Sequence, residues 1–325
     1  MKIKRLDSPL DTFDLCFPEA KPFDVVGFGI NSVDQVYIVP EYPRPDSKCE
    51  ILRHETMPGG QIATAVKFIS RMGLKAKYIG KVGGDHLGKF ALESLRSENI
   101  DTRSVIVQKN ATNQYAIIII DRNDGERTIL CHRDNRLDFG TNELDDTEIC
   151  CGRILHLDGY DSAAALKAAS ICHERGIPVC IDLDKVVPDC KALMENIDFL
   201  IVSSCFPRDF TGIADPLEAF CALRQYCSGF IAVTLGARGA MAWVGEKCVA
   251  FPGLSVEAVD TTGAGDIFHG GFIYGLLQNW PLQRIMNFAN AAAGLSCMYL
   301  GAQSGIRPYP EILQHLDSSF PETAR

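Results

Sequence analysis

The sequence predicts an α/β fold: a central, mostly parallel sheet covered by helices on both faces, with a small β-rich lid beside it. Three observations predict this. Short, continuous apolar runs alternate along the chain with longer helical patterns, the sign of strands buried on both faces. Two β-rich segments interrupt that alternation. The 325 residues are 46% hydrophobic and 22% charged, ordinary globular composition with enough chain for a full core.

Residues 1–22 are polar and proline-spaced and read as a loosely held N-terminal arm. "DVVGFGI" (24–30) reads as the first buried strand. Further strands are expected at 76–82, 153–159, 178–184, 198–203 and 230–236. Helices are expected near 61–72, 86–98, 161–175, 215–227, 267–278 and 282–299. Residues 35–56 look like a pair of short strands, and 104–133 like strands joined by a turn at Asn123-Asp124-Gly125. The core is thus assigned to 23–34, 57–103 and 134–320, and the lid to 35–56 and 104–133. A two-segment sheet would otherwise expose its edge and an apolar face, so a homodimer through the lids is expected.

The net charge of −9 argues against nucleic acid or an anionic membrane as partner. No apolar run reaches the length of a membrane span. The first residues have no apolar signal core, and the 13 cysteines show no paired spacing. Reduced thiols in a cytoplasmic protein are expected.

Three glycine motifs invite a nucleotide. "GFGINS" (27–32) follows a strand, but Ser32 stands where a dinucleotide fingerprint needs its third glycine, and the following residues look extended. "GGDHLGKF" (83–90) matches a P-loop up to Lys89, but Phe90 stands where a hydroxyl should hold magnesium. It reads better as a turn with Asp85 capping a helix and Lys89 solvated.

"DTTGAGDIFHG" (260–270) is different. A helix start leaves backbone N–H groups unpaired and carries positive potential. Gly263, Ala264 and Gly265 let an anion approach those groups, and Asp266 sits within reach of whatever attacks it. Oxyanion donors and a carboxylate base together suit phosphoryl transfer to an alcohol. The plainer alternative is an aspartate that merely stabilises the helix dipole.

In every fixed position, Asp260 to Asp266 resembles the C-terminal DTxGAGD motif of the PfkB (ribokinase-like) family of carbohydrate kinases. "MPGGQIATAVKFISRMG" (57–73), "GKVGGDHLG" (80–88), "VTLGARGA" (233–240) and "NFANAAAGLSCMYLGAQSG" (287–305) resemble further family segments, in family order. The resemblance implies a three-layer α/β/α ribokinase-like sandwich with a mostly parallel sheet and a β-sheet lid. It implies ATP as donor, Mg2+, and a small hydroxylated acceptor such as a sugar. Asp266 becomes the general base and Gly263, Ala264 and Gly265 the anion hole. Asn31, Asp34, Gly59 and Gly60 become acceptor contacts, with Asp158 and Thr64 as further candidates. Thr234, Gly236 and Gly239 would line the nucleotide site, with Asn290 near adenine. Asp260, Thr262 and Gly301 match positions that contribute to a monovalent cation site, such as one for K+.

The chain departs from the family pattern in places. Thr64 stands where members often carry a sugar-contacting asparagine. An N-x-x-E segment acting on phosphate and magnesium reads "SSCFPRD" (203–209) here, with Ser203 for the asparagine and Phe206 for the glutamate. Asp182 or Asp184 are candidates to complete the metal shell. Lys48, Arg133 and Arg136 are candidates to meet an anionic acceptor. A nucleoside or phosphosugar kinase of the same fold, or a non-catalytic sugar or nucleotide sensor, are the alternatives.

Overall fold

The computed structural model describes residues 6–15, 17–18, 20–123 and 127–319, the side chains of 317–319 excepted. Its strands are β1 (Phe23–Phe28), β2 (Ser32–Val39), β3 (Arg53–Gly59), β4 (Ala76–Ile79), β5 (Lys81–Gly83), β6 (Ile106–Gln108), β7 (Tyr115–Asp121), β8 (Arg127–His132), β9 (Gly152–Asp158), β10 (Val179–Leu183), β11 (Phe199–Ser203), β12 (Phe230–Thr234), β13 (Ala240–Val244) and β14 (Lys247–Phe251). Its helices are α1 (Gln61–Arg71), α2 (His86–Arg96), α3 (Asp146–Ile149), α4 (Ser162–Glu174), α5 (Cys190–Glu195), α6 (Phe206–Thr211), α7 (Pro216–Ala222), α8 (Ala264–Leu277), α9 (Leu282–Ser296) and α10 (Tyr309–Ser319).

An eight-stranded sheet runs in the order β14-β13-β12-β11-β10-β9-β1-β4, parallel from β12 to β4 and closed at the other edge by antiparallel β13 and β14. Successive strand residues point to opposite faces. Ile154, Cys180, Phe199, Ile201 and Phe230 meet the layer of α1, α8, α9 and α10. Leu155, Leu157, Ile181, Leu200 and Val202 meet the layer of α4, α5 and α7. Two buried faces explain why these strands read as unbroken apolar runs. The architecture is a three-layer α/β/α sandwich.

A second sheet, in the order β3-β2-β7-β8, flanks the first. Its inner face, Val36, Ala116, Ile118 and Ile120, packs with Met57 and Leu300. β2 begins at Ser32 and β3 ends at Gly59, so Asp34 and Gly59 ride on this smaller sheet and not on the core segments assigned to them. The turn expected at Asn123-Asp124-Gly125 falls partly outside the described residues.

Other elements depart from expectation for local reasons. The strand expected over 76–82 divides at Gly80, and β5 leaves the main sheet to pair with β6. The helix expected from 267 starts earlier, because Gly263 turns the chain with φ of 78° and Ala264 already begins α8. The hairpin β13–β14 and the helices α6 and α10 escaped the pattern reading.

The described part of the leading segment is not loosely held. Phe13 is buried and meets Phe199 and Phe230 edge-on at 5.2 and 5.3 Å. Asp11 accepts a backbone hydrogen bond from Leu282 at 2.9 Å. One aromatic anchor holds a polar segment onto the core. Replacing it, Phe13→Ala, is expected to lower unfolding free energy by about 3–5 kcal/mol in urea titration. A change near zero would show that this docking contributes nothing.

Candidate active site

The carboxyl ends of the parallel strands carry the polar residues. Along that edge stand Asn31 just beyond β1, Asp158 ending β9, Asp182 and Asp184 at the end of β10, Ser203 ending β11 and Thr234 ending β12. Strands lie about 4.8 Å apart, so from Asn31 to Thr234 this row spans about 19 Å. The chain reverses its direction of travel across the sheet at β1, which sits between β4 and β9, and such a switch point opens a crevice.

Over β1 and β9 the crevice gathers buried polar side chains. Asp158 accepts hydrogen bonds from Ile30 N at 2.7 Å and Tyr160 N at 3.0 Å. Asn31 is buried, and its Nδ2 has no hydrogen-bond partner among the described residues. Asp34 reaches in from the smaller sheet. Any Cβ at Gly59 would fall 2.7 Å from the Asp34 carboxyl carbon, so only glycine lets the β3 end pass there. Burial, with the Asp260 charge behind it, pushes the Asp34 carboxyl up to about 7. Burial also pushes Asp158 up to about 7, against the pull of its backbone donors.

Asp34 lies beside Ala116, and Ala116 beside Cys131, which puts Asp34 and Cys131 on one face of the small sheet. Burial and then the Asp34 charge raise the Cys131 thiol. Across the crevice, the Lys185 ammonium lies 3.3 Å from the Tyr160 ring centroid. Lys185 did not stand out as a site residue in the sequence, and strand register sets Cys131 on the face that carries Asp34.

The cations proposed for an anionic acceptor are placed differently. Arg133 is held by Asp161 at 2.7 Å and by Gln114 at 2.9 Å. Arg136 pairs with Asp134 at 2.5 Å on the surface. Lys48 is exposed on the loop between β2 and β3. Thr64, expected among the acceptor contacts, is wholly buried; its hydroxyl accepts from Gln303 Nε2 at 3.3 Å and also lowers the Asp266 carboxyl.

Asp266 occupies the first turn of α8, whose N-terminus no side chain caps. A Cβ at Gly265 would stand in open space, and Gly265 and Ala264 form one wall of a cavity of about 300 Å³. Burial raises the Asp266 carboxyl well above its ordinary range; Asp182, Asp34 and Asp184 raise it further, and only Thr64 pulls it back. The loop before α8 is pinned through Asp260. Its Oδ1 accepts from Thr262 N at 2.9 Å and Thr262 Oγ1 at 2.7 Å, and its Oδ2 accepts from Gly301 N at 2.8 Å. Arg127, at the start of β8, donates to Thr261 Oγ1 and stands 4.0 Å from Asp260. Sequence reading missed this link from the small sheet.

The cavity runs from Ala264 and Gly265 to Thr234, Gly236, Gly239 and Asn290. Asn290 Nδ2 donates to Phe251 O and Pro252 O, both at 3.0 Å, so it fixes the cavity wall. Its length and open helix end fit a nucleotide with its phosphates toward Gly265. For magnesium, Phe206 offers nothing: it is buried and stacked on Phe210. Asp182 is engaged by His269 at 3.2 Å. Asp184 is exposed, and its carbonyl holds Ser203 Oγ at 3.1 Å, so Asp184 and Ser203 are the fitting oxygen groups. In the second glycine motif, Asp85 caps α2 by accepting from Gly88 N, and exposed Lys89 faces Glu93, as the plainer reading held.

The model of the "pfkB family carbohydrate kinase" family matches residues 23–308. The chain belongs to this family. Ribokinase of Haemophilus influenzae is 26% identical over 298 residues, covering 89% of this chain and 97% of that one. The crystal structure of a putative ribokinase from Agrobacterium tumefaciens is 26% identical with a TM-score of 0.84, covering 91% and 98%. A structure titled as a putative ribokinase II from E. coli in complex with ATP and Mg2+ is 20% identical with a TM-score of 0.79, covering 91% and 99%. Membership makes this kinase an ATP-dependent enzyme of small sugar or nucleoside hydroxyls. No helix of the described residues is long and apolar enough to cross a membrane.

The raised carboxyls make stability depend on pH. Below about pH 4, Asp34 and Asp158 are protonated in both folded and unfolded chains. Between the ordinary 3.8 and about 7, the unfolded chain releases protons that the folded chain keeps, so stability is lost as pH rises. Asp34→Asn and Asp158→Asn are each expected to gain about 2–4 kcal/mol over the parent at pH 8 relative to pH 4, in urea unfolding without ligand. A difference independent of pH would refute the burial of these charges.

Proposed function

We propose that this kinase transfers a phosphoryl group from ATP to a hydroxyl of a small sugar or sugar-like substrate, with Asp266 as general base. The observation that carries the reading is the position of Asp266. It lies between the open α8 end, which walls the nucleotide cavity, and Asp34 of the hydroxyl-binding crevice, whose charge it feels. Asn31, Asp34 and Asp158 orient the acceptor by its hydroxyl groups. Asn31 Nδ2 gains the partner it lacks, and the raised carboxyls of Asp34 and Asp158 accept or donate as the hydroxyl requires.

Asp266 then takes the proton of the attacking hydroxyl. Its raised proton affinity suits that task near neutral pH. The N–H groups of Gly263, Ala264 and Gly265 meet the charge that develops on the transferred group. Mg2+, when bound, neutralises phosphate charge, and Asp184 and Ser203 would hold it. The Asp260, Thr262 and Gly301 loop is the candidate monovalent-cation site, though Arg127 already sets a positive charge beside it, which argues for weak K+ dependence. The small sheet is the lid, excluding water from the crevice. Its outer face leaves Leu130 exposed, which supports a dimer through the lids. The described cysteines are all free, in keeping with a cytoplasmic protein.

Arg133 and Arg136 are both committed to carboxylates, which leaves Lys185, beside Tyr160, as the cation that a phosphosugar acceptor would meet. The test is ATP turnover against pentoses, hexoses, keto-acid sugars and nucleosides, run with Asp266→Asn. One sugar is expected to stimulate turnover, and the variant to lose about 10²–10⁴ in kcat with ATP affinity nearly unchanged. Parent-like turnover by the variant on the stimulating sugar would remove Asp266 from the role of base.

A further inference from the structure

Directly beneath the carboxylates lies a second layer of donors. His156 precedes Asp158 by two residues on β9, and Cys180 precedes Asp182 by two on β10. The period of two turns each pair toward the same face, that of α8. His156 and Cys180 are register partners across the two strands. His269 follows Asp266 by three residues, a turn further along α8, and meets them from above. All three are buried, at 0%, 0% and 2% exposure. One ring nitrogen of each histidine and Cys180 Sγ lie within 4.8 Å of one another.

The hydrogen bonds say which atoms face inward. His156 Nδ1 lies 3.3 Å from Cys180 O. His269 Nε2 lies 3.2 Å from Asp182 Oδ1. Both acceptors are oxygens that can only receive, so both nitrogens carry the ring protons. In the neutral rings the other nitrogens, His156 Nε2 and His269 Nδ1, are bare lone pairs, and both lack a partner among the described residues. Two buried lone pairs and a thiol lie together where aliphatic residues would pack at no polar cost, with the two imidazoles stacked at 5.3 Å between centroids. Nothing in that set donates except the thiol.

We propose that His156, Cys180 and His269 form a buried site for one thiophilic d10 metal ion, of the Zn2+ or Cu+ class. Two imidazoles and a thiolate are the donors that such ions select. Each histidine already donates its remaining N–H to an oxygen, the arrangement that orients metal-ligating histidines. Metal–donor lengths of about 2.0–2.3 Å require the three atoms to draw in by about 1 Å. Binding displaces the Cys180 proton to solvent and leaves the metal oxidation state unchanged. The ion ties β9, β10 and α8 together and so fixes the spacing of Asp158, Asp182 and Asp266 above it.

The site is closed to solvent, so the full chain should be refolded with one equivalent of Zn2+ or of Co2+ as a coloured stand-in, then passed over chelating resin. About one metal ion per chain is expected to remain, and the Co2+ form to show thiolate-to-metal charge-transfer absorption. Cys180→Val and His156→Leu, each confirmed folded by circular dichroism, are expected to retain at least tenfold less metal and to lose that absorption. The proposal is overturned if the folded parent keeps no metal and shows no such band, as a buried water in the cluster would produce. It is equally overturned if both variants retain metal like the parent, since other cysteines would then be the ligands. Neither result depends on catalysis, so failure here leaves the kinase reading intact.

Discussion

The constraint on which the rest of the structure depends is the crowding of carboxylates at the carboxyl edge of the main sheet. The charges of Asp182, Asp34 and Asp184 all act on Asp266, and Asp182 acts on Asp184 as well. Desolvation and like-charge repulsion raise the same proton affinities. Such a cluster is unfavourable for folding alone. It is tolerated because α8 presents its positive end to it and because single donors are set against single acids. Thr64 serves Asp266, His269 serves Asp182, and the backbone of Ile30 and Tyr160 serves Asp158. Asp182 shows the balance: burial pushes it up, yet the imidazoles of His269 and His156 hold it below its ordinary range.

The surrounding fold keeps that cluster in register. The parallel strands deliver their polar residues to one edge, acceptor side first and nucleotide side last. Asp260 staples the turn before α8 to the loop at Gly301, which holds the Gly263 turn in place. Arg127 extends the staple to the small sheet, so the element that brings Asp34 also touches the loop leading to Asp266. Position of the small sheet and geometry of the α8 N-terminus are therefore mechanically linked.

Much of this was legible in the residues. The alternation of apolar runs and helices is a direct product of a doubly covered sheet, and it located the six core strands expected. "DTTGAGD" carried the helix start and the acid in its first turn, because glycines before an acid have few structural reasons to exist there. Other features were not legible, because they are made by pairs distant in sequence. Arg127 meets Thr261 only through the packing of two sheets. Cys131 joins Asp34 only through strand register. Thr64 reads as a candidate sugar contact from its place after the Gly-Gly pair, and the α1–α8 packing brings it to Asp266 and Gln303. Phe13 sits in a segment whose polar composition hides one decisive anchor.

The central claim is that the proton affinity of Asp266 is set by buried neighbours, with Thr64 as the donor opposing the carboxylates. The most direct measurement is the acid limb of the pH profile of kcat/KM for the parent and for Thr64→Val, on the sugar that supports turnover. Removing the hydrogen bond leaves the repulsion unopposed, so the limb should move to higher pH, by about 0.5–1 unit, while KM changes little. An unmoved limb, or one moved to lower pH, would contradict the account.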